Sequence, residues 1–306
     1  MQLDEYLLQH YSHRGTQRYK NLIHQFVQWR GKENIPSTSY QYVVEYIGLL
    51  RQRDLHPKTI KLHLFAVKIY FRYLVTIGKR SDHPCEDLYL KDQINRAILV
   101  ESLYSMETLE ALYDHFETPE DRRPGRERSE AIKKRDKIIV SLLIYQALTC
   151  LEIIELKIED INLEEGTIRI RPNEHPNRRG NKGRALALKP KQILLFHEYL
   201  KKLRKELWKK QKPRHRVDYF ILNESGLQFH GAGIHRLLTK CRKPHERYTP
   251  MKIRQSVIVH LLKEKNDIRI VQEFAGHRRA GSTEAYKRTG LEELKASIEK
   301  LHPHQV

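Results

Sequence analysis

Two short runs in this chain of 306 residues alternate apolar and polar side chains: Thr167-Ile168-Arg169-Ile170-Arg171 and Arg184-Ala185-Leu186-Ala187-Leu188. Alternation puts every second side chain on one face, so each run reads as a short strand and the two as an antiparallel pair. Between them lies the basic, Gly-containing tip Arg178-Arg179-Gly180-Asn181-Lys182-Gly183. The rest of the chain carries helical spacing. Tyr19, Leu22, Ile23, Phe26 and Trp29 recur every three or four residues, and Tyr40–Leu50 continues helically after Ser37-Thr38-Ser39. The expected fold is mainly α with a small antiparallel β-sheet.

A further helix opens at Pro57-Lys58-Thr59-Ile60, where proline suits the first turn, and ends near Gly78. Ile60, Leu64, Val67, Phe71 and Leu74 form its apolar face, while Lys58, Lys61, Lys68 and Arg72 put positive charge on the others. The aromatic stripe of the first helices reads as core rather than as a base-stacking surface. Residues 92–104 read as a linker. A second helical region starts at Met106, a buried helix spans Ile138–Ala147, and residues 119–129 form a polar, mixed-charge loop.

Lys and Arg total 57 against 38 Asp and Glu, a formal net charge of +19. Such a surplus favours a polyanion, with nucleic acid the first candidate and an anionic membrane surface the second. The longest largely apolar stretch, Ile138–Ile144, is too short to span a bilayer, and the N-terminus has no signal-peptide pattern. Cys85, Cys150 and Cys241 lie far apart without a metal-ligand spacing, so neither a zinc site nor a disulfide framework is suggested, and a reduced, cytoplasmic chain is expected.

Near the C-terminus stand Thr249-Pro250-Met251-Lys252-Ile253-Arg254, then Val271-Gln272-Glu273-Phe274-Ala275-Gly276-His277, then Ser282-Thr283-Glu284-Ala285-Tyr286. These segments resemble the signature of the tyrosine recombinase (phage integrase) family: T-P-H-x-L-R, V-Q-x-x-L-G-H and S-T-x-x-Y. The resemblance runs from about residue 104 to 290 and more loosely over the N-terminal part. It implies a two-domain clamp on double-stranded DNA, with residues 1–91 a helical (SAM-like) DNA-binding domain, 92–104 the linker and 105–306 the catalytic-type domain. It also implies no cofactor and no metal, because a tyrosine hydroxyl attacks the phosphodiester and the bond energy is kept in a 3′-phosphotyrosyl intermediate.

Residue by residue, the resemblance makes Tyr286 the nucleophile, Arg254 a phosphate-binding arginine and His277 a proton handler. In the basic hairpin Arg179 stands at the usual lysine position, followed by Lys182, and Arg178 and Lys252 join the DNA-binding set. Two positions depart from the pattern. The helix-opening T-G-x-R-x-x-E-L is here Thr149-Cys150-Leu151-Glu152-Ile153-Ile154-Glu155-Leu156, with Glu152 in place of the first arginine. Met251 replaces the histidine of H-x-L-R.

A carboxylate about 4 Å from a phosphate oxygen would oppose it by roughly 4 kcal/mol at an effective dielectric near 20. Loss of the arginine would add about 3–4 kcal/mol if it behaves like a lost oxyanion-hole donor. Glu152 could instead point away, or pair with Arg254 or Arg179 in the unbound protein; Arg178, Arg179, Lys182 and Lys252 are candidate substitutes for the missing cation.

Two function classes follow. One is a site-specific DNA strand transferase of recombination or integration, of the kind mobile elements carry, impaired or dependent on a partner recombinase. The other is a non-catalytic recombinase-fold subunit that positions DNA. Leu291, Leu294, Ile298 and Leu301 would form an apolar face for docking on a neighbouring subunit in a homo-oligomeric synaptic tetramer, or on a partner recombinase. The expected location is cytoplasmic, at the nucleoid, with no membrane association.

Overall fold

The computed structural model describes residues 2–92, 103–116, 130–172, 181–210, 218–240 and 247–286. The chain divides into two compact units, the first holding the described residues up to Asp92 and the second those from Leu103 onward.

The first unit is a four-helix assembly: α1 (Leu3–His10), α2 (His13–Arg30), α3 (Tyr40–Gln52) and α4 (Pro57–Thr76). Local signals set the boundaries. Ser12 caps α2 by accepting from the Gly15 amide, and Pro57 fills the first turn of α4 while His56 accepts from the Lys58 amide. Gly31, at φ 82°, turns the chain out of α2. The core packs Ile23, Phe26, Tyr46, Val67 and Phe71 together, with the Phe26 ring edge-on to Tyr46 and Phe71. Ile23 and Phe26 of the aromatic stripe are buried, while Tyr19, Leu22 and Trp29 pack against that core.

In the second unit, helices pack with one face of a three-stranded sheet. Its elements are α5 (Met106–His115), α6 (Glu130–Tyr145), α7 (Cys150–Glu155), β1 (Ile161–Asn162), β2 (Thr167–Ile170), β3 (Arg184–Ala187), α8 (Pro190–Glu198), α9 (Arg204–Trp208), α10 (Gly231–Lys240), α11 (Pro250–Lys263) and α12 (Ile268–Ala275). A widened π turn over Tyr199–Leu203 joins α8 to α9. Residues 280–286 are again helical. The sheet runs β1-β2-β3, antiparallel throughout, with Ile168 opposite Leu186 and Ile170 opposite Arg184.

The sequence reading supplied two strands; β1 is a third. It is only two residues long, too short to show an alternation. α6 begins at Glu130, eight positions before the apolar run expected to form it, because its first two turns carry charged residues among buried Ala131 and Ile132. The loop expected at 119–129 and most of the expected linker lie outside the described residues.

Register matters most at β3. Its burial alternates, with Arg184 and Leu186 inward and Ala185 and Ala187 outward. Strand parity therefore drives a guanidinium into the interior on the same face as a core leucine. α6, packed against α5, α8 and α11, is buried throughout from Ile138 to Ile144. After it, Ala147 takes a left-handed backbone, φ 48°, and the chain turns into α7.

Candidate active site

Four segments of the second unit converge: the start of α7, the root of the β2–β3 hairpin, the first turns of α11, and the end of α12 with the helical stretch after it. Each is fixed by a local device. Thr149 and Glu152 form a capping box at the start of α7, where the Thr149 hydroxyl accepts from the Glu152 amide and the Glu152 carboxylate accepts from the Thr149 amide. Thr249 caps α11 through the Lys252 amide, with Pro250 in the first turn. α12 stops at Gly276, whose left-handed φ of 67° ends the helix and launches His277.

Arg254 is buried, 4% exposed, and its two terminal nitrogens donate to the main-chain carbonyls of Ala147 and Ala275. Burial pulls its pKa down, while the nearby Glu152 charge pushes it back up. His277 accepts or donates through Nδ1 at the Thr283 hydroxyl, 2.9 Å away. Its ring stacks on Tyr286 with centroids 5.9 Å apart and planes within 14°. Thr283 and Tyr286 are three residues apart and so share one helix face. Burial first, then the Arg254 and Arg184 charges, lower the His277 pKa to about 4. The ring is therefore neutral at physiological pH and able to take a proton. Burial raises the Tyr286 pKa and Arg254 partly opposes this, so the phenol stays protonated and needs a base.

Glu152 does not stand as a bare carboxylate. Oε1 accepts from Arg184 Nη1 and from Asn181 Nδ2, both at 2.7 Å, and Oε2 accepts from the Thr149 amide at 2.8 Å and the Thr149 hydroxyl at 2.9 Å. Burial alone would raise its pKa; the Arg184 ion pair, the Arg184 hydrogen bond and the Thr149 amide together bring it below its usual value. In this structure the adjacent Arg184 guanidinium pairs with the carboxylate; of the partners expected from the sequence, Arg254 lowers the Glu152 pKa through its charge and Arg179 lies outside the described residues.

Arg184 is the site residue to which the sequence reading gave no role. Its side chain is 2% exposed, its Nε donates to the Phe274 carbonyl at 2.7 Å, and its guanidinium lies against Gly276, where an added Cβ would come within 2.4 Å of Nη1. The signal was present, since strand alternation puts Arg184 on the inward face. Asn181, Thr149 and Thr283 also belong to the site, and the sequence gives no sign of the contacts Asn181 and Thr283 make there.

The remaining candidates fall as follows. Lys182 has its side chain exposed and its amide bonded to the Gly276 carbonyl at 3.0 Å, which fastens the hairpin root to the end of α12. Lys252 lies with its ammonium 4.2 Å from the Tyr104 ring centre. Met251 is 60% exposed in the first turn of α11. Arg178 and Arg179 lie outside the described residues, as do Leu291, Leu294, Ile298 and Leu301. In the first unit Lys58 is exposed, whereas Lys61 donates to the Asp92 carbonyl, Lys68 to the Glu86 carbonyl, and Arg72 sits 3.7 Å from the Glu86 carboxylate. Among the described residues, no group of three His, Cys, Asp or Glu could hold a metal ion, and no helix is long and apolar enough to cross a membrane.

Comparison with known proteins covers both units. The sequence profile of the Phage integrase family matches residues 105–293, and that of the phage integrase N-terminal SAM-like domain matches residues 2–78. Tyrosine recombinase XerD of Listeria innocua is 24% identical over 264 residues, covering 85% of this chain and 82% of that protein. Tyrosine recombinase XerA of Pyrococcus furiosus is 25% identical over 296 residues, covering 92% and 88%. Among solved structures, XerH site-specific recombinase bound to a palindromic difH substrate, a post-cleavage complex, superposes with a TM-score of 0.69 at 20% identity, covering 94% of this chain and 80% of that one. The Tn1549 transposon integrase in complex with circular intermediate DNA gives 0.61 at 16% identity, covering 96% and 99%.

Proposed function

Since the chain belongs to the phage integrase family of tyrosine recombinases, we propose that it binds double-stranded DNA and acts in site-specific recombination or integration, cleaving one strand through Tyr286. The observation that carries this reading is the stacking of Tyr286 on a neutral His277 beside the buried Arg254.

In the proposed step the Tyr286 oxygen attacks the phosphorus of the scissile diester and its proton passes to neutral His277. Burial and the Arg254 and Arg184 charges depress the basicity of that ring, which rises when a negative phosphate enters beside those charges. The P–O5′ bond breaks and leaves a 3′-phosphotyrosyl bond. The departing 5′-oxygen takes a proton from a donor such as Lys182. A 5′-hydroxyl of another strand then reverses the exchange, so the number of phosphodiester bonds is unchanged. Arg254 opposes the negative charge that builds on the non-bridging oxygens. The rings face each other without a hydrogen bond between them, so proton transfer calls for a closer arrangement once DNA is bound.

Residues 1–91 are proposed as the DNA-binding domain, contacting phosphates through Lys58, Lys61, Lys68 and Arg72, and residues 105–306 as the cleaving domain, with Arg178, Arg179 and Lys252 at the duplex. The segment containing Leu291, Leu294, Ile298 and Leu301 is proposed to dock on a second copy or a partner recombinase. The protein would then act in the cytoplasm at the nucleoid.

Glu152, standing where relatives of this pattern have arginine, favours a second reading in which the protein holds DNA without cutting it. Incubation with a pool of duplexes carrying 5′-bridging phosphorothiolates separates the two, because a thiolate leaves irreversibly and traps the adduct. A covalent band on a denaturing gel that disappears in Tyr286→Phe supports cleavage. DNA binding with no band supports the second reading.

A further inference from the structure

We propose that Arg184 supplies the phosphate-facing guanidinium that position 152 does not, and that Glu152 is the positioning residue that holds it. The proposal rests on the strand-transfer reading of this same pocket and names a residue which that reading leaves out.

Three observations support it. First, Arg184 is anchored but not spent. Nε is held by the Phe274 carbonyl and Nη1 by Glu152, while Nη2 is buried without a hydrogen-bond partner. Among the described residues it is the one cationic atom in that condition. A buried donor left unmade is costly, and such an atom calls for a ligand to complete it. A non-bridging phosphate oxygen is an acceptor of the right charge and shape for a guanidinium.

Second, Glu152 is committed to holding its neighbours. Its two oxygens accept four hydrogen bonds from Arg184, Asn181 and Thr149. With those bonds made, the carboxylate is part of the framework of α7 and of the hairpin root. Third, the buried pair is electrically balanced. Among the described buried groups Glu152 and Arg184 cancel, so Arg184 brings its guanidinium beside Arg254 without adding net charge to the buried pocket. Gly276 makes the arrangement possible, since any side chain there would occupy the space of the Arg184 guanidinium.

The test uses the full-length protein and inorganic phosphate as probe, followed by the imidazole NMR signals of His277 so that phosphate bound elsewhere on this basic chain is not counted. Wild-type protein should show a saturable shift. Arg184→Gln should weaken it roughly tenfold to a hundredfold, as expected for one hydrogen bond to a charged group, and Arg184→Lys should fall between. If Arg184→Gln leaves a buried carboxylate that prevents folding, Glu152→Gln with Arg184→Gln removes both charges together and should show the same loss.

Glu152→Gln alone separates positioning from simple repulsion. Positioning requires weaker phosphate binding, whereas repulsion requires tighter binding; a tighter result overturns the role given to Glu152. Phosphate affinity unchanged in the folded Arg184→Gln or double variant overturns the role given to Arg184. The phosphorothiolate pool keeps the two proposals apart. If wild-type protein traps no DNA yet phosphate binding depends on Arg184, strand transfer fails and Arg184 stands. Trapping by the double variant at the wild-type rate would sink the Arg184 assignment and leave strand transfer intact.

Discussion

His277 and Tyr286 face one another as nearly parallel rings, 14° apart in tilt, and His277 is held in that pose by the Thr283 hydroxyl one helical turn before the tyrosine. The two groups that would exchange a proton are thus mounted on one short helical stretch and the turn that precedes it. The turn depends on Gly276, and the stretch depends on Thr283, which is fully buried.

Gly276→Ala should disturb the site more than its size suggests. The residue adopts φ 67°, and its new Cβ would lie 2.4 Å from Arg184 Nη1. Left-handed strain costs about 1–3 kcal/mol, and the guanidinium must leave Glu152 to make room. Thermal unfolding of the variant should show the lower midpoint, and phosphate titration of the folded fraction should show weaker binding. A variant as stable as wild type would mean that Arg184 is not confined as described.

Glu152→Ala should destabilise the second unit by about 3–5 kcal/mol, because it leaves the buried Arg184 charge without its partner. Substituting both residues by glutamine should cost less than the sum of the two single changes. A denaturant-unfolding double-mutant cycle gives the coupling directly, and strict additivity would mean that the pair does not interact.

The pH dependence of stability follows from His277. Its folded pKa, about 4, lies below its ordinary value of 6.5. Between those values the unfolded chain binds more protons than the native protein, so stability falls as pH drops from about 6.5 towards 4 and is constant in this respect above that window. Glu152, with a lowered pKa, adds a further loss only below the usual carboxylate range. Unfolding midpoints measured across this range should slope in wild type and slope less in His277→Gln. Equal slopes would show that His277 is not the group responsible, and NMR titration of the imidazole would locate its pKa directly.

DNA binding should be strongly salt-dependent, with the log–log slope falling by about 0.9 for each phosphate contact removed. Lys58→Gln is the cleanest single change, since Lys61, Lys68 and Arg72 already have acceptors on their own unit. Fluorescence anisotropy on a labelled duplex at several salt concentrations would give the slopes. An unchanged slope in Lys58→Gln would remove that residue from the interface.

Helices α3 and α4 were legible because a start signal and an apolar stripe coincided, at Ser37-Thr38-Ser39 and at Pro57, whereas the Ser12 cap of α2 emerged only in the structure. The β2–β3 pair was legible from alternation, and the inward parity of Arg184 was written there too. Its significance was not, because the carboxylate it meets is 32 positions away and pairing across such a gap is decided by packing. β1 escaped notice for want of length. The acceptors for Arg254 could not be found from the sequence, since they are the main-chain carbonyls of Ala147 and Ala275 and main-chain oxygens look alike at every position.

That choice of acceptors bears on how such a pocket can change over time. Three guanidinium nitrogens end on peptide oxygens of residues 147, 274 and 275, and a point substitution replaces a side chain while leaving the peptide oxygen in place. The cations are therefore moored to parts of the molecule that mutation touches only by moving the backbone. Positions such as 152 and 251 can exchange one side chain for another around them, and the anchorage for negative charge survives the exchange.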